Sequence, residues 1–544
     1  MTKTRSNKRV RRWGIFPSAY SRKTAKHTLS RAQKFVLAAV MIWAGVTLTF
    51  EHMLFLKVVM ALFMAFLLPF IAFRMGVITA APLYKFPRPL PVADADLPKY
   101  TTLHPMFKEA NMIPLVVAAM EAMNYPKHLM ECILVLEERD HETVEAAKNY
   151  GLPDYFKIVE TPAVKPYGKP KACNYALQFA TGDYVVIFDA EDKPEPDQLR
   201  KAVGVFRAAD EAGDPLGCVQ ARLVFENQEP LLNARGKVLR DAEGYRVRPT
   251  TWVSRFLGNE YTVHFEFVLA GLSKLNLPVP LGGTSNHFPL SVLKDLAFNK
   301  RQMPEGFPQG DNSIGAWDPW NVTEDAELGS ALAASGYKTV LFDSYTNEEA
   351  VLTTRAALNQ RSRWVKGYAQ TSLALLKQPV RNMAAMGFWR FWAFQLQVGG
   401  AFLSLLLAPL SWGMTILYFT TRAQLIIELF PLPLFYTGIA LLIIGNLGLL
   451  TLSLISAMHR QQYSTVRYLL TLTPIWWMVL SAATYVALLE LIFPNWHPAW
   501  NKTAHGIEKF AVWWERPLIA IRKRKENRHA AAQSPQEVTQ SQAA

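Results

Sequence analysis

Apolar residues fall along this chain in blocks. After a Lys/Arg-rich start, Met1 to Lys26, Phe35 to Phe50 is apolar and uncharged, and Met53 to Phe73 is apolar apart from Lys57. Each block is about long enough to cross a ~30 Å hydrocarbon core as a helix. Only Glu51 and His52 separate them, which predicts a tight transmembrane hairpin over 34–78. A secretory signal would place one short apolar stretch and a small-residue cleavage site after a brief basic run; two long blocks predict retained anchors. From 79 to 385 short apolar runs end in acidic or Gly-rich turns and alternate with helical periodicity. This predicts an α/β domain behind the Pro-rich linker Pro82 to Pro91, ending in interfacial helices. Cys132 to Leu136 and Tyr184 to Phe188 read as buried strands, each followed directly by carboxylates. In a mostly parallel sheet that is the end of the strand where ligands bind.

Beyond Met386 the chain turns apolar again, and Phe391 to Phe419 and Leu432 to Met458 predict two further spans within 386–460. Charge decides how the remaining apolar stretch, Tyr468 to Phe493, is read. The net charge is +14, and the basic residues gather beside the apolar blocks, as the positive-inside rule requires. The basic N-terminus (1–33), the loop His459 to Arg467 and the tail Arg522 to Lys525 all belong on the cytosolic side by that rule. They can share it only if 468–493 does not cross. The expectation is four spans, an interfacial or re-entrant helix within 461–515, and both termini cytosolic. Trp476, Trp477 and Tyr485 suit an interface. The end of the chain, within 516–544, is polar and Ala/Gln-rich from Asn527, a composition that predicts disorder. The three cysteines, Cys132, Cys173 and Cys218, share no metal-ligand spacing and read as reduced packing residues. With the positive charge tracking the membrane boundary and no aromatic-studded basic groove in view, a nucleic-acid partner is not expected.

Three segments carry candidate chemistry. Asp189, Glu191 and Asp192 end an apolar strand; they form either a solvated acidic turn or a hard-oxygen cradle for Mg²⁺ or Mn²⁺ on a diphosphate. Thr323-Glu324-Asp325 either caps a helix or presents Asp325 as a general base. Gln360, Arg363 and Trp364 lie 35 to 39 residues beyond Asp325. They belong either to an ordinary basic interfacial helix or to a clamp in which Arg neutralises a leaving diphosphate and Trp stacks on a sugar.

Taken together, an Asp-x-Glu segment, Thr-Glu-Asp, and Gln-x-x-Arg-Trp flanked by membrane spans resemble the family 2 processive membrane glycosyltransferases. These include the catalytic subunit of bacterial cellulose synthase, curdlan and hyaluronan synthases, and the phage-adsorption type of inner-membrane glycosyltransferase. The resemblance covers about residues 100–506. It implies a GT-A-like α/β fold, a Rossmann-like mixed sheet, inserted as a cytosolic domain between transmembrane helices. It also implies that Lys171 and Asn174, in Lys-Ala-Cys-Asn, lie against the nucleotide diphosphate. Gly283, Thr284, Ser285 and His287 would form the loop where the acceptor's end rests, with Trp364. Trp500 to Gly506, including Lys502 and Thr503, is similar to a gating loop over the nucleotide. The family's paired nucleotide-binding aspartates are replaced here by Glu137 and Glu138, either of which suits a uracil contact, and Asp-x-Asp reads Asp189-Ala-Glu191. A cyclic-dinucleotide-binding domain is not expected.

The chemistry implied is inverting transfer from a UDP-sugar, UDP-glucose or UDP-N-acetylglucosamine. Asp325 would be the base beside Glu324, the metal would sit at Asp189, Glu191 and Asp192, and Arg363, Lys171 and Lys502 would offset leaving-group charge. The acceptor is a growing glycan or a lipid. For a polymer, membrane helices carrying Trp389, Trp392 and Trp412 would shape a channel through the bacterial cytoplasmic membrane, and export partner subunits would act beyond it. Transfer of a single sugar to a lipid, and a non-catalytic receptor on a transferase fold, are the competing expectations.

Overall fold

The computed structural model describes residues 22–233, 236–241, 246–298, 315–430 and 432–493; the expected gating-like loop, with Lys502 and Thr503, lies outside them. The strands are β1 Tyr100–Met106, β2 Met130–Glu137, β3 Phe156–Thr161, β4 Tyr184–Ile187, β5 Lys193–Pro194, β6 Leu216–Phe225, β7 Asn286–Pro289 and β8 Lys338–Glu348. The helices up to the end of the sheet are α1 Arg31–Phe50, α2 His52–Ala80, α3 Ile113–Glu121, α4 His141–Asn149, α5 Lys169–Ala176, α6 Gln198–Ala212, α7 Trp252–Thr262, α8 Ala270–Lys274, α9 Leu290–Asp295 and α10 Glu324–Ala334. They are followed by α11 Thr354–Leu375, α12 Pro379–Met386, α13 Phe388–Thr421, α14 Gln424–Leu429, α15 Leu432–His459 and α16 Tyr463–Ile492.

The eight strands form one sheet in the order β3-β2-β1-β4-β7-β6-β8-β5. β3, β2, β1 and β4 are parallel, β7 runs antiparallel to β4 and β6, and β6 and β8 are parallel again. This is the GT-A-like mixed sheet. β2 is buried along its whole length, as a strand covered on both faces must be. Its side chains divide by parity: Ile133 and Val135 join the core under α5, α9 and α10, while Cys132, Leu134 and Leu136 join the core under α3 and α4. Parallel register brings Met106, Leu136 and Ile187 to one edge of the sheet, and Phe225 pairs with Glu348 at the ends of β6 and β8. The segments after these ends carry the polar residues of the site.

Among the described residues, five helices are long and apolar enough to span a membrane: α1, α2 (with its short extension to Leu83), α13, α15 and α16. The segment expected as an interfacial or re-entrant element is one continuous helix of 30 residues, with Pro474 inside it. The count of candidate spans is therefore five where the charge pattern predicted four. Part of the charge of the basic loop before α16 is neutralised locally: Arg460 pairs with Glu266 of the domain, and His459 lies 3.5 Å from the same carboxylate. α16 is also tied to the domain. Trp476 Nε1 donates to Glu260 at 2.7 Å, Arg255 donates to Thr465 at 3.0 Å, and Glu490 pairs with Lys366 of α11 at 3.1 Å.

The membrane hairpin is welded to the domain where Gly271 of α8 meets α2. A Cβ there would sit 1.9 Å from the Val77 carbonyl oxygen, so only glycine allows the approach. A second clasp lies before α1. Arg22 is buried, pairs with Glu327 of α10, and donates to the carbonyls of Leu296 (2.6 Å) and Ala316 (2.7 Å), with its guanidinium 3.9 Å from the centre of the Phe298 ring. Beside it the Ala25 N–H donates to Asp318. Because removing one partner leaves a buried charge uncompensated, Arg22→Ala is expected to cost about 3–5 kcal/mol. A thermal melt of the purified protein should show a fall of several degrees, with Arg22→Lys intermediate; an unchanged midpoint would show the clasp to be energetically idle.

Candidate active site

The loop before α5 and the turn after β4 face each other across the sheet edge. Lys169, at the start of α5, pairs with Asp189 and also donates to the Gly283 carbonyl at 2.9 Å. Burial works against the Lys169 charge, but Asp189 and Glu324 outweigh it and raise its pKa. Gly283 has φ +77°, a left-handed conformation natural to glycine, and a methyl group on it would sit 3.2 Å from Asp325 Oδ2. The glycine loop therefore touches the Asp189 side of the site through its carbonyl and the Asp325 side through its Cα.

Glu324 and Asp325 open α10, after Thr323 at its N-cap. Burial raises both carboxyls. Glu324 is pushed further by Asp325 next to it, while the Ala326 N–H and Lys169 moderate Asp325, which ends at about 6. α11 packs directly on this turn: a Cβ at Gly367 would meet Thr323 Oγ1 at 2.3 Å. That approach sets Gln360, Arg363 and Trp364, the preceding two turns of α11, over the carboxylates. Arg363 is desolvated, which lowers its pKa, against the pull of Glu324, Asp189 and Tyr261. Trp364 packs 5.9 Å from Tyr261, with Arg361 4.4 Å from its ring centre and paired with Glu260.

One cavity of about 1100 Å³ joins these parts. Its walls include Lys169, Asp189, Glu191, Gly283, Thr284, Glu324, Asp325, Gln360, Arg363 and Trp364. It continues between α2, α13, α15 and α16, past Phe70, Trp412, Leu441 and Trp477; Trp412 and Trp477 are stacked at 6.1 Å. Among the described residues, the buried wall oxygens without a hydrogen-bond partner include Thr323 Oγ1, Gln360 Oε1 and Glu348 Oε1. Trp389 and Trp392 are exposed on the outside of α13 instead of lining the cavity.

Several residues carried over from the resemblance sit elsewhere. Lys171 does not reach the cavity: its ammonium donates to the carbonyls of Pro162 (2.7 Å) and Val164 (3.3 Å) and is fully buried. Lys169, two residues earlier on the opposite side of the helix start, occupies the position expected of it. Asn174 holds the Trp317 backbone through both its amide groups. Asp192 folds back to accept the Asp189 N–H at 2.7 Å and the Thr284 hydroxyl, so it shapes the turn and only Asp189 and Glu191 face the cavity. Ser285 is buried against Thr346, and His287 is buried between Tyr100 and Gln198; of the acceptor loop, Gly283 and Thr284 line the wall. Glu137 and Glu138 also stand outside the lining. Glu137 pairs with Arg139, whose guanidinium lies 3.8 Å from the ring centre of Tyr167 in the wall, and keeps Oε1 without a partner. Glu138 is exposed and accepts the Ala163 N–H. Lys169 and Glu348 were missed. Lys169 stands within the same Lys-Pro-Lys run as Lys171, and Glu348 ends a strand in an acidic pair, a signal of the same kind as the one after β4.

Residues 98–367 match the family model "Glycosyltransferase like family 2". Residues 98–367 therefore form a family 2 glycosyltransferase-like domain, flanked among the described residues by five candidate membrane helices. Relatives include the "Probable glycosyltransferase YdaM" of Bacillus subtilis (strain 168), 24% identical over 52% of this chain and 58% of the relative. Another is the beta-monoglucosyldiacylglycerol synthase of Synechocystis, 23% identical over 52% of this chain and 51% of the relative. The match spans about half the length of these curated relatives. Among solved structures, the mannosyltransferase PcManGT of Pyrobaculum calidifontis, in complex with GDP-Man and Mn²⁺, aligns over 79% of this chain and 99% of its own, with 16% identity and a TM-score of 0.44.

The Gly367 contact yields a direct check. Gly367→Ala must push α11 off Thr323, and overpacking of this kind costs about 1–3 kcal/mol. The variant should melt lower and lose most transfer activity; full activity with an unchanged melt would show that the helices have slack.

Proposed function

We propose that this protein is an inverting, metal-dependent glycosyltransferase of the bacterial cytoplasmic membrane that uses a UDP-sugar, UDP-glucose or UDP-N-acetylglucosamine, to build a β-linked glycan. The observation that carries the reading is the single cavity shared by Asp189, Asp325 and the Arg363–Trp364 pair and continued between membrane helices. The domain and both termini are assigned to the cytosolic side, with α16 lying along the domain; its ties to Glu260 and Lys366, near the middle and the end of the helix, support this.

The residues fit a divalent cation. Asp189 and Glu191 offer hard oxygens to the cavity, Glu348 adds a buried oxygen without a partner, and Lys169 already places a positive charge against Asp189. Among the described residues no three His, Cys, Asp or Glu side chains are gathered as a ready metal site, so diphosphate oxygens and water would complete the shell. When bound, Mg²⁺ or Mn²⁺ supplies charge neutralisation at the diphosphate. Asp325 accepts the proton of the acceptor hydroxyl as that oxygen attacks the anomeric carbon. The new carbon–oxygen bond forms as the bond to the diphosphate oxygen breaks, and UDP leaves with the electron pair. Arg363 and Lys169 offset the charge on the departing diphosphate. Trp364 stacks on the acceptor sugar and fixes its approach.

A second reading, transfer of one sugar to a lipid, is supported by the apolar part of the cavity wall, where Phe63, Leu67, Phe70 and Leu441 offer an acyl chain a path to the same carboxylates. Product sizing separates the two: a ladder of glycan against a single glycolipid.

Asp325→Asn should lower transfer by about 10²–10⁴-fold, the usual contribution of a general base, while UDP binding stays near wild type; near-normal turnover would overturn the assignment. Asp325 is raised to about 6, and the base must be deprotonated. The expected kcat/KM therefore climbs as pH rises through about 6 and falls below it; a flat profile between pH 5 and 7.5 would count against this base. Excess chelator should abolish activity and Mn²⁺ or Mg²⁺ should restore it.

A further inference from the structure

Cations on the cavity wall are mostly neutralised. Lys169 pairs with Asp189, Arg361 with Glu260 and Lys366 with Glu490, while Arg355 is exposed. Arg363 stands beside Glu324 and Asp189, where the donor diphosphate is assigned. That leaves Arg74 of α2, which lines the same cavity and makes no ion pair or hydrogen bond among the described residues. The residue is half-buried where it borders the cavity.

Its place along α2 is telling. The helix has 29 residues, about 43 Å at 1.5 Å per residue, against a ~30 Å hydrocarbon core. Arg74 lies six residues before the domain-side end at Ala80, about 9 Å, which is the depth of lipid headgroups. An arginine at that depth on a lipid-facing surface reaches outward to water and phosphates. Arg74 instead faces the domain. With Arg361 it adds to the burial that lowers His264 to about 3, and it acts on Tyr368, whose hydroxyl also feels Asp325. Arg74 and the proposed base therefore act on the same tyrosine of the cavity wall. Ionisable residues at membrane depth that face a cavity mark the path of a charged ligand, and the guanidinium fork matches an oxyanion bidentately.

We propose that Arg74 forms an anion subsite for the acceptor, and that the acceptor carries a phosphate which this residue holds at headgroup depth while the acceptor's hydroxyl or phosphate oxygen faces Asp325. The proposal rests on the transferase reading and names its acceptor class. The phosphate can arrive on a lipid or on the end of a soluble glycan.

The test uses the purified full-length protein in detergent, with binding followed by native mass spectrometry. The probes are phosphatidic acid, diacylglycerol with matched chains, glucose 1-phosphate and, in parallel, UDP. A charge-assisted hydrogen bond contributes about 1.5–3 kcal/mol, so phosphatidic acid should bind at least about tenfold more tightly than diacylglycerol. Arg74→Gln should remove most of that preference, Arg74→Lys should keep part of it, and UDP should bind all three proteins equally. Arg74-dependent binding of glucose 1-phosphate as well would assign the phosphate to a soluble acceptor end; its failure to bind would assign it to a lipid. Either result supports the subsite. Equal binding of phosphatidic acid and diacylglycerol, or an unchanged preference in Arg74→Gln, would overturn it while UDP binding leaves the transferase standing. A wild-type protein that binds no UDP would overturn both.

Discussion

The contact on which the site depends is the approach of α11 to the N-terminus of α10, permitted by the missing side chain at Gly367. Thr323, Glu324 and Asp325 belong to the sheet domain, whereas Gln360, Arg363 and Trp364 belong to a helix whose other contacts are with α13 and α16. The sheet domain and the bundle of candidate membrane helices are joined there with a glycine as the spacer. A bulkier residue would open a gap between acid and arginine while leaving each helix intact. The Gly271–Val77 contact repeats the device between α8 and α2. Close backbone approach thus works beside side-chain ties such as Trp476–Glu260 in fixing the sheet domain against the candidate membrane helices.

The electrostatics of the cavity follow from that seam. Glu324, Asp325 and Asp189 are crowded on one wall, and burial holds Glu324 and Asp325 above their ordinary range. Lys169 is the counterweight, sharing itself between Asp189 and the Gly283 carbonyl. A site that gathers negative charge while excluding water is poised to receive cations, and Arg363 meets it from the opposite side. Preorganised charge of this kind contributes most where the dielectric is low.

Much of this was legible in the sequence, and the failures have physical causes. The strands before Glu137 and Asp189 are visible as continuous apolar runs because parallel strands are buried on both faces. The acidic turn, the Thr-Glu-Asp helix start and the Gln-x-x-Arg-Trp segment are visible because each is contiguous. The choice between Lys169 and Lys171 is not: two lysines in one helical turn differ only in which side they face, and that is decided by how α5 seats on the sheet. Asp192 looks equivalent to its neighbours until the turn folds it back onto the Asp189 amide. A count of positive charges along the chain cannot see Glu266, distant in sequence, pairing with Arg460. Arg74 sits in an apolar run and gives no pattern at all; its meaning comes only from the cavity it borders.

The clasp made by Arg22 reaches further than stability. Its partner Glu327 is 305 residues away along the chain, beyond both helices of the first hairpin. A hydrogen-bonded ion pair cannot straddle a bilayer, so the segment before α1 and the domain after α2 must share one compartment. α1 and α2 together then make an even number of crossings, a parity fixed by a single contact without any tally of flanking charge. Because Arg22 precedes its partner by so much chain, the clasp can close only once helix α10 has been made.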